Sequence, residues 1–171
     1  MPSAPATAVS LSSVRLDRGG RTILRDLNLA IPSGSMTTVL GPSGTGKSTL
    51  LAAMTGELVP AAGHVQVFGH DVPRSARGLL AMRKGLGVLL QGNGLLTDLT
   101  VAENVALPLQ AHTRLTASQR QQRVLEKLAA VGLADAADLY PRELSGGMAR
   151  RAALARAIAL DPPLLLCDEP L

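Results

Sequence analysis

The chain has 171 residues, 46% of them hydrophobic, and carries 17 Lys and Arg against 13 Asp and Glu, a net charge of +4. That length suits one domain with a real core; with no Trp, one Phe and one Tyr, the core is aliphatic and nucleic-acid binding by base stacking on aromatic platforms is disfavoured. A single cysteine, Cys167, excludes both a disulfide framework and a cysteine metal cluster, and no run reaches the ~18 apolar residues of a membrane span or the make-up of a signal peptide.

The expected location is therefore cytoplasmic, with any membrane role exerted through a partner. The charge is uneven. Residues 1–91 hold nine Lys and Arg against four Asp and Glu, and residues 92–171 hold eight against nine. An excess of that kind suits a polyanionic ligand, and equally a solvated, Arg-rich surface.

Residues 1–7 are a small Pro-, Ala- and Ser-containing tail, expected to be disordered. Segments 9–16 and 24–31 alternate, most clearly at Leu27, Leu29 and Ile31, and flank Gly19 and Gly20; they predict a strand pair. Pro32, Ser33 and Gly34 turn the chain into a short apolar run at 36–40, read as a strand that ends at a glycine-rich loop, and 47–57 reads as a helix. A strand at 65–68, a short helix at 76–84 and a buried strand at 86–90 follow. Thr100 with Glu103, and Thr116 with Gln119, are spaced as capping boxes, opening two helices of which the second ends near Gly132. A further helix at 148–160 is broken by Asp161, Pro162 and Pro163, and 164–167 is a last buried strand. Strands alternating with helices around a phosphate loop define an α/β fold with a largely parallel core sheet, in which 95–160 is a helical insertion.

The loop Gly41, Pro42, Ser43, Gly44, Thr45, Gly46, Lys47, Ser48 is a phosphate-binding loop. Its glycines let successive backbone N–H groups converge on phosphate oxygens, and the helix that follows, through Thr49, aims its positive end at the same charge. Lys47 is expected on the β- and γ-phosphates and Ser48 on Mg²⁺. Asp168, just past the apolar run 164–167, stands where a carboxylate holds the magnesium sphere, and Glu169 would polarise the attacking water. Ser145, Gly146 and Gly147 at a helix start make a second anion-facing element. Alone, such a triplet is most often only a cap; since one loop already fills the phosphate position, its simplest use is in trans, on a nucleotide held by a second copy.

This ordered set, with Gln91 between the loop and Leu144-Ser145-Gly146-Gly147, resembles the nucleotide-binding subunits of ABC transporters over essentially the whole chain. Met148 in that signature, and the segment from Leu95 to Val105, look most like the ATPases of Mla/Mce-type lipid transporters. The resemblance implies a P-loop ATPase with a parallel core sheet, an N-terminal antiparallel β subdomain and a helical subdomain, divided as 8–94, 95–160 and 161–171. It implies ATP and Mg²⁺ as cofactors, a homodimer in which Ser145 and Gly147 close on the partner's ATP, and Gln91 at the magnesium. A permease would dock on the surface 92–104, with an Mce-type lipid-binding protein as a further partner, at the cytoplasmic face of the membrane and without nucleic acid.

Two departures stand out. The aromatic that members offer to adenine is replaced by Leu16 or Asp17, beside Arg15 and Arg18. The family's dimer loop, its next strand and its switch histidine would all follow Asp168 and Glu169, so the resemblance implies a C-terminally incomplete cassette. It would have a slot between 36–40 and 164–167 and be expected to behave as molten or poorly soluble. A non-hydrolysing nucleotide-binding or regulatory module is the alternative reading, and a soluble ATPase of ribosomes or DNA a third. No Asn-Lys-x-Asp base-reading motif occurs, which disfavours a GTPase.

Overall fold

The computed structural model describes residues 6–89, 91–92 and 94–168. It divides into two compact units, 1–83 and 84–171, each with its own sheet.

The first unit is built on an antiparallel sheet of four strands: β1 (Thr7–Arg18), β2 (Arg21–Pro32), β3 (Ala62–Val67) and β4 (His70–Asp71), in the order β2-β1-β3-β4. The central strand β1 buries Val9, Leu11, Val14 and Leu16. Strict alternation would send either the first two or the last two to the wrong face. A register break between Leu11 and Val14, with Ser13 at φ 47, absorbs the extra residue and returns Val14 and Leu16 to the core. Gly63 of β3 is dictated by that bulge, since a Cβ there would lie 2.4 Å from the carbonyl oxygens of Ser12 and Ser13. Helix α1 (Lys47–Met54) buries Thr49, Leu50, Ala53 and Met54. Helix α2 (Ala76–Arg83) ends with Arg83, whose Nε donates to the Thr55 carbonyl at 2.8 Å.

The apolar run at 36–40, expected as a strand, is not one. It has no regular structure, and Met36 and Leu40 are 96% and 87% exposed. An apolar run becomes a strand only where a neighbouring backbone completes its hydrogen bonds, and no strand among the described residues pairs with this one.

The second unit holds a parallel pair, β5 (Leu86–Leu89) and β6 (Leu164–Cys167), in register from Leu86 opposite Leu164 to Leu89 opposite Cys167. Between them run α3 (Val101–His112), α4 (Ala117–Ala130) and α5 (Gly146–Ala157), the expected helical insertion. Val101, Val105 and Leu109 form one stripe of α3, at the four-residue spacing of a helix face; they pack with Val124 and Leu128 of α4 and with Ala152 and Ala155 of α5. Every residue α5 buries is an alanine: 149, 152, 153 and 155. The bulk at these contacts comes from the valines and leucines of α3 and α4.

Candidate functional site

In the first unit the glycine-rich loop is shaped by its own side chains. Thr45 Oγ1 donates to the Pro42 carbonyl at 2.9 Å. Lys47 Nζ folds back to donate to the carbonyls of Gly41 at 2.8 Å and Pro42 at 2.9 Å, which sets an ammonium at the loop's mouth. Gly46, at φ 99, forms the entry to α1, and a Cβ there would come within 2.7 Å of Ile23; β2 thus floors the loop. Gly41, Pro42, Ser43, Gly44, Thr45 and Ser48 are exposed, whereas Thr49 is buried. Exposed backbone donors, a helix start and a lysine are the chemistry of a phosphate cradle.

Leu16 is fully buried, opposite Leu24, which itself packs on Gly46. Of the two residues standing where an aromatic was expected, only Asp17 reaches the surface. Arg15 Nη2 lies 3.3 Å from its Oδ2, while its Oδ1 is buried with no hydrogen-bond partner among the described residues.

In the second unit the parallel register brings Gln91 and Asp168 to one end of the sheet, since each follows the end of its strand and Leu89 faces Cys167. The Asp168 N–H donates to the Leu89 carbonyl at 2.8 Å, continuing the ladder by one step. The carboxyl ends of parallel strands are where α/β folds bind ligands. Glu169 lies outside the described residues. Partial burial pushes the Cys167 thiol up from its ordinary range, which disfavours the thiolate.

Ser145 is the N-cap of α5, its Oγ accepting from Met148 N at 3.3 Å, and Gly146 and Gly147 form the first turn. The turn before it is braced by Tyr140 N donating to Glu143 Oε2 at 2.7 Å and by the Arg142 guanidinium 5.1 Å above the Tyr140 ring. A Cβ on Gly146 or Gly147 would meet nothing within 4 Å, so this helix start is open to whatever approaches it.

Two residues whose structural role the sequence did not show, Asn104 and Arg156, hold the segment after Gln91. Asn104, fully buried, accepts from Leu96 N at 2.8 Å and donates to the carbonyls of Leu96, Leu99 and Thr100 at 3.0, 3.1 and 2.9 Å. Arg156 Nη1 donates to the Gly94 carbonyl at 2.8 Å. Arg156 bonds a backbone 62 residues away, which leaves no motif; Asn104 bonds within eight residues of itself, and its place on the apolar stripe of α3 is the signal that marks it.

The strand 164–167, expected to be buried, buries only Leu166, and Leu165 is 40% exposed; a phosphate loop, an acidic residue just past this parallel strand and a Ser-Gly-Gly helix start together define a nucleotide-binding cassette. Residues 24–171 match the ABC transporter family, and the chain belongs to it. It is 49% identical over 163 residues to the intermembrane phospholipid transport system ATP-binding protein MlaF of Haemophilus influenzae, covering 95% of this chain and 62% of that protein. The MlaF protein of Escherichia coli is 46% identical over 171 residues, with 99% and 64% covered. The chain thus spans a little under two thirds of the length of these relatives. Among solved structures, a dimeric ATP-binding cassette in a post-hydrolysis state, bound to ADP and Pi, superposes with a TM-score of 0.88 at 34% identity, over 95% of this chain and 74% of that one. No helix among the described residues is long and apolar enough to cross a membrane.

Proposed function

We propose that this chain is the ATP-binding and ATP-hydrolysing part of an ABC transporter subunit that drives phospholipid movement. The observation that carries the reading is the phosphate loop with Lys47 drawn across its mouth, in a sequence 49% identical to a phospholipid-transport ATPase. Gly41, Pro42, Ser43, Gly44, Thr45, Gly46 and Thr49 supply backbone donors to the phosphates. Lys47 moves from loop carbonyls to the β- and γ-phosphates, exchanging one set of oxygens for a more negative one. Ser48 in the first unit, and Gln91 and Asp168 in the second, each carry an oxygen of the kind Mg²⁺ takes, and the ion would supply charge neutralisation at the phosphates. Glu169 orients and deprotonates the attacking water.

The open start of α5 supports the use of Ser145, Gly146 and Gly147 in trans, on ATP held by a second copy. The surface 92–104 docks the permease, an Mce-type protein carries the lipid, and the assembly works at the cytoplasmic face of the membrane.

Phosphate release from ATP tests this in the full-length protein reconstituted with its permease in phospholipid vesicles. Turnover should require Mg²⁺ and fall about a hundredfold or more in Lys47→Ala and in Asp168→Asn, the scale of losing a charge-stabilising group. Tight ATP binding with no turnover would favour the non-hydrolysing alternative, and turnover indifferent to Lys47 would overturn the site.

A further inference from the structure

The segment 94–100, between β5 and α3, has no helix or strand of its own, yet it is held from two sides. Asn104 engages its backbone at Leu96, Leu99 and Thr100 from within α3. Arg156 holds its start, at the Gly94 carbonyl, from the last turn of α5. Gln91 lies three residues before Gly94. The first turn of α5 is Gly146 and Gly147, capped by Ser145. One helix of 12 residues, roughly 15 Å from Gly146 to Arg156 at 1.5 Å per residue, therefore has the anion-facing triplet at its head and a grip on the Gln91 segment at its tail.

The choice of arginine says that packing is not the purpose. Desolvation by burial pulls the guanidinium below its ordinary pKa, a penalty that an apolar side chain filling the same space would avoid. What arginine adds is a rigid, planar donor that fixes the direction of a carbonyl. A charge-assisted hydrogen bond to a backbone oxygen is shorter and stronger than a neutral one and holds a set position.

We propose that Arg156 is a positioning residue: it yokes the Gln91-bearing segment to the helix headed by Ser145, Gly146 and Gly147, so that these two nucleotide-facing elements move as one body. The inference rests on the functional reading above for its effect on turnover, but not for the yoke itself.

The test compares wild type, Arg156→Ala and Arg156→Lys in the full-length protein. Arg156→Ala should bind a fluorescent ATP analogue with Kd within about twofold of wild type, because the phosphate loop is untouched, while kcat falls by about tenfold or more, as expected when a charge-assisted tie to the Gly94 carbonyl is lost. Arg156→Lys should recover part of kcat, since an ammonium can donate to the same carbonyl without fixing its plane. Amide hydrogen exchange at 94–96 should speed up in Arg156→Ala while the central amides of α3 and α5 keep their protection. Faster exchange spread evenly over α3 and α5, or an unchanged kcat, would overturn the proposal and leave Arg156 a packing residue. A wild type that neither binds nor hydrolyses ATP would sink the functional reading instead, and the exchange comparison alone would then decide the yoke.

Discussion

Asp161 shows how a single side chain ties two helices of the second unit. It follows α5 at φ 50, its N–H donating to the Ile158 carbonyl at 3.1 Å, and its carboxylate accepts from Lys127 Nζ and Arg123 Nη1 of α4. The Lys127 hydrogen bond first, and then the charges of Lys127 and Arg123, hold the carboxyl below its ordinary value. A carboxyl depressed in the folded state contributes stability that is present above the unfolded value, about pH 4, and is lost as pH falls through the folded one. Urea unfolding of wild type should therefore weaken below about pH 4 more steeply than that of Asp161→Asn, and the two curves should converge in acid. The difference at neutral pH should stay below about 1 kcal/mol, because the Asp161 side chain is 56% exposed and the pair is screened. None of this was legible in the sequence, where Asp161 read only as a helix breaker: its partners are 34 and 38 residues away.

Elements were legible where their signals are local. Both capping boxes form as spaced: Thr100 N donates to Glu103 Oε2 at 2.7 Å and Glu103 N to Thr100 Oγ1 at 3.2 Å, while Thr116 N donates to Gln119 Oε1 at 2.9 Å and Gln119 N to Thr116 Oγ1 at 3.3 Å. Helix α4 buries only Val124 and Leu128, so its start leans on this cap more than on packing. Thr116→Ala should lower the unfolding free energy by about 1 kcal/mol, and Thr116→Ser should restore most of it, both read from denaturant midpoints at unchanged m-value. The run at 36–40 failed for the opposite reason. A strand is completed by its neighbour, and nothing inside Met36, Val39 or Leu40 says whether that neighbour is there. Helix α5 was expected to begin at Met148 and begins at Gly146, because Ser145 takes the cap and draws both glycines into the first turn.

For the molecule as a whole, the order of motifs carried the fold: a phosphate loop, a helical stretch opened by Ser-Gly-Gly and an acidic residue after an apolar strand can be read in sequence because phosphate chemistry demands those residues at those spacings. The ties that hold the pieces together are tertiary and write no pattern. A ligand gripped by the phosphate loop acts at this scale, since anything bound only by the folded chain raises its stability by mass action. Mg²⁺ with ATP at about a hundred times Kd should add about 2.7 kcal/mol, seen as a higher thermal midpoint that ATP with a chelator gives less strongly and that Lys47→Ala abolishes. The alanine-lined face of α5 has a separate consequence, for how this protein can change over generations. Most cores drift by trading one large aliphatic residue for another of similar volume. Here there is no volume to trade: each buried position already holds the smallest side chain that keeps a helix, so drift can only enlarge and wedge the helices apart, or reach glycine and weaken the helix itself. The helix that carries Ser145 at its head and Arg156 at its tail is thus expected to accept few substitutions along its buried face.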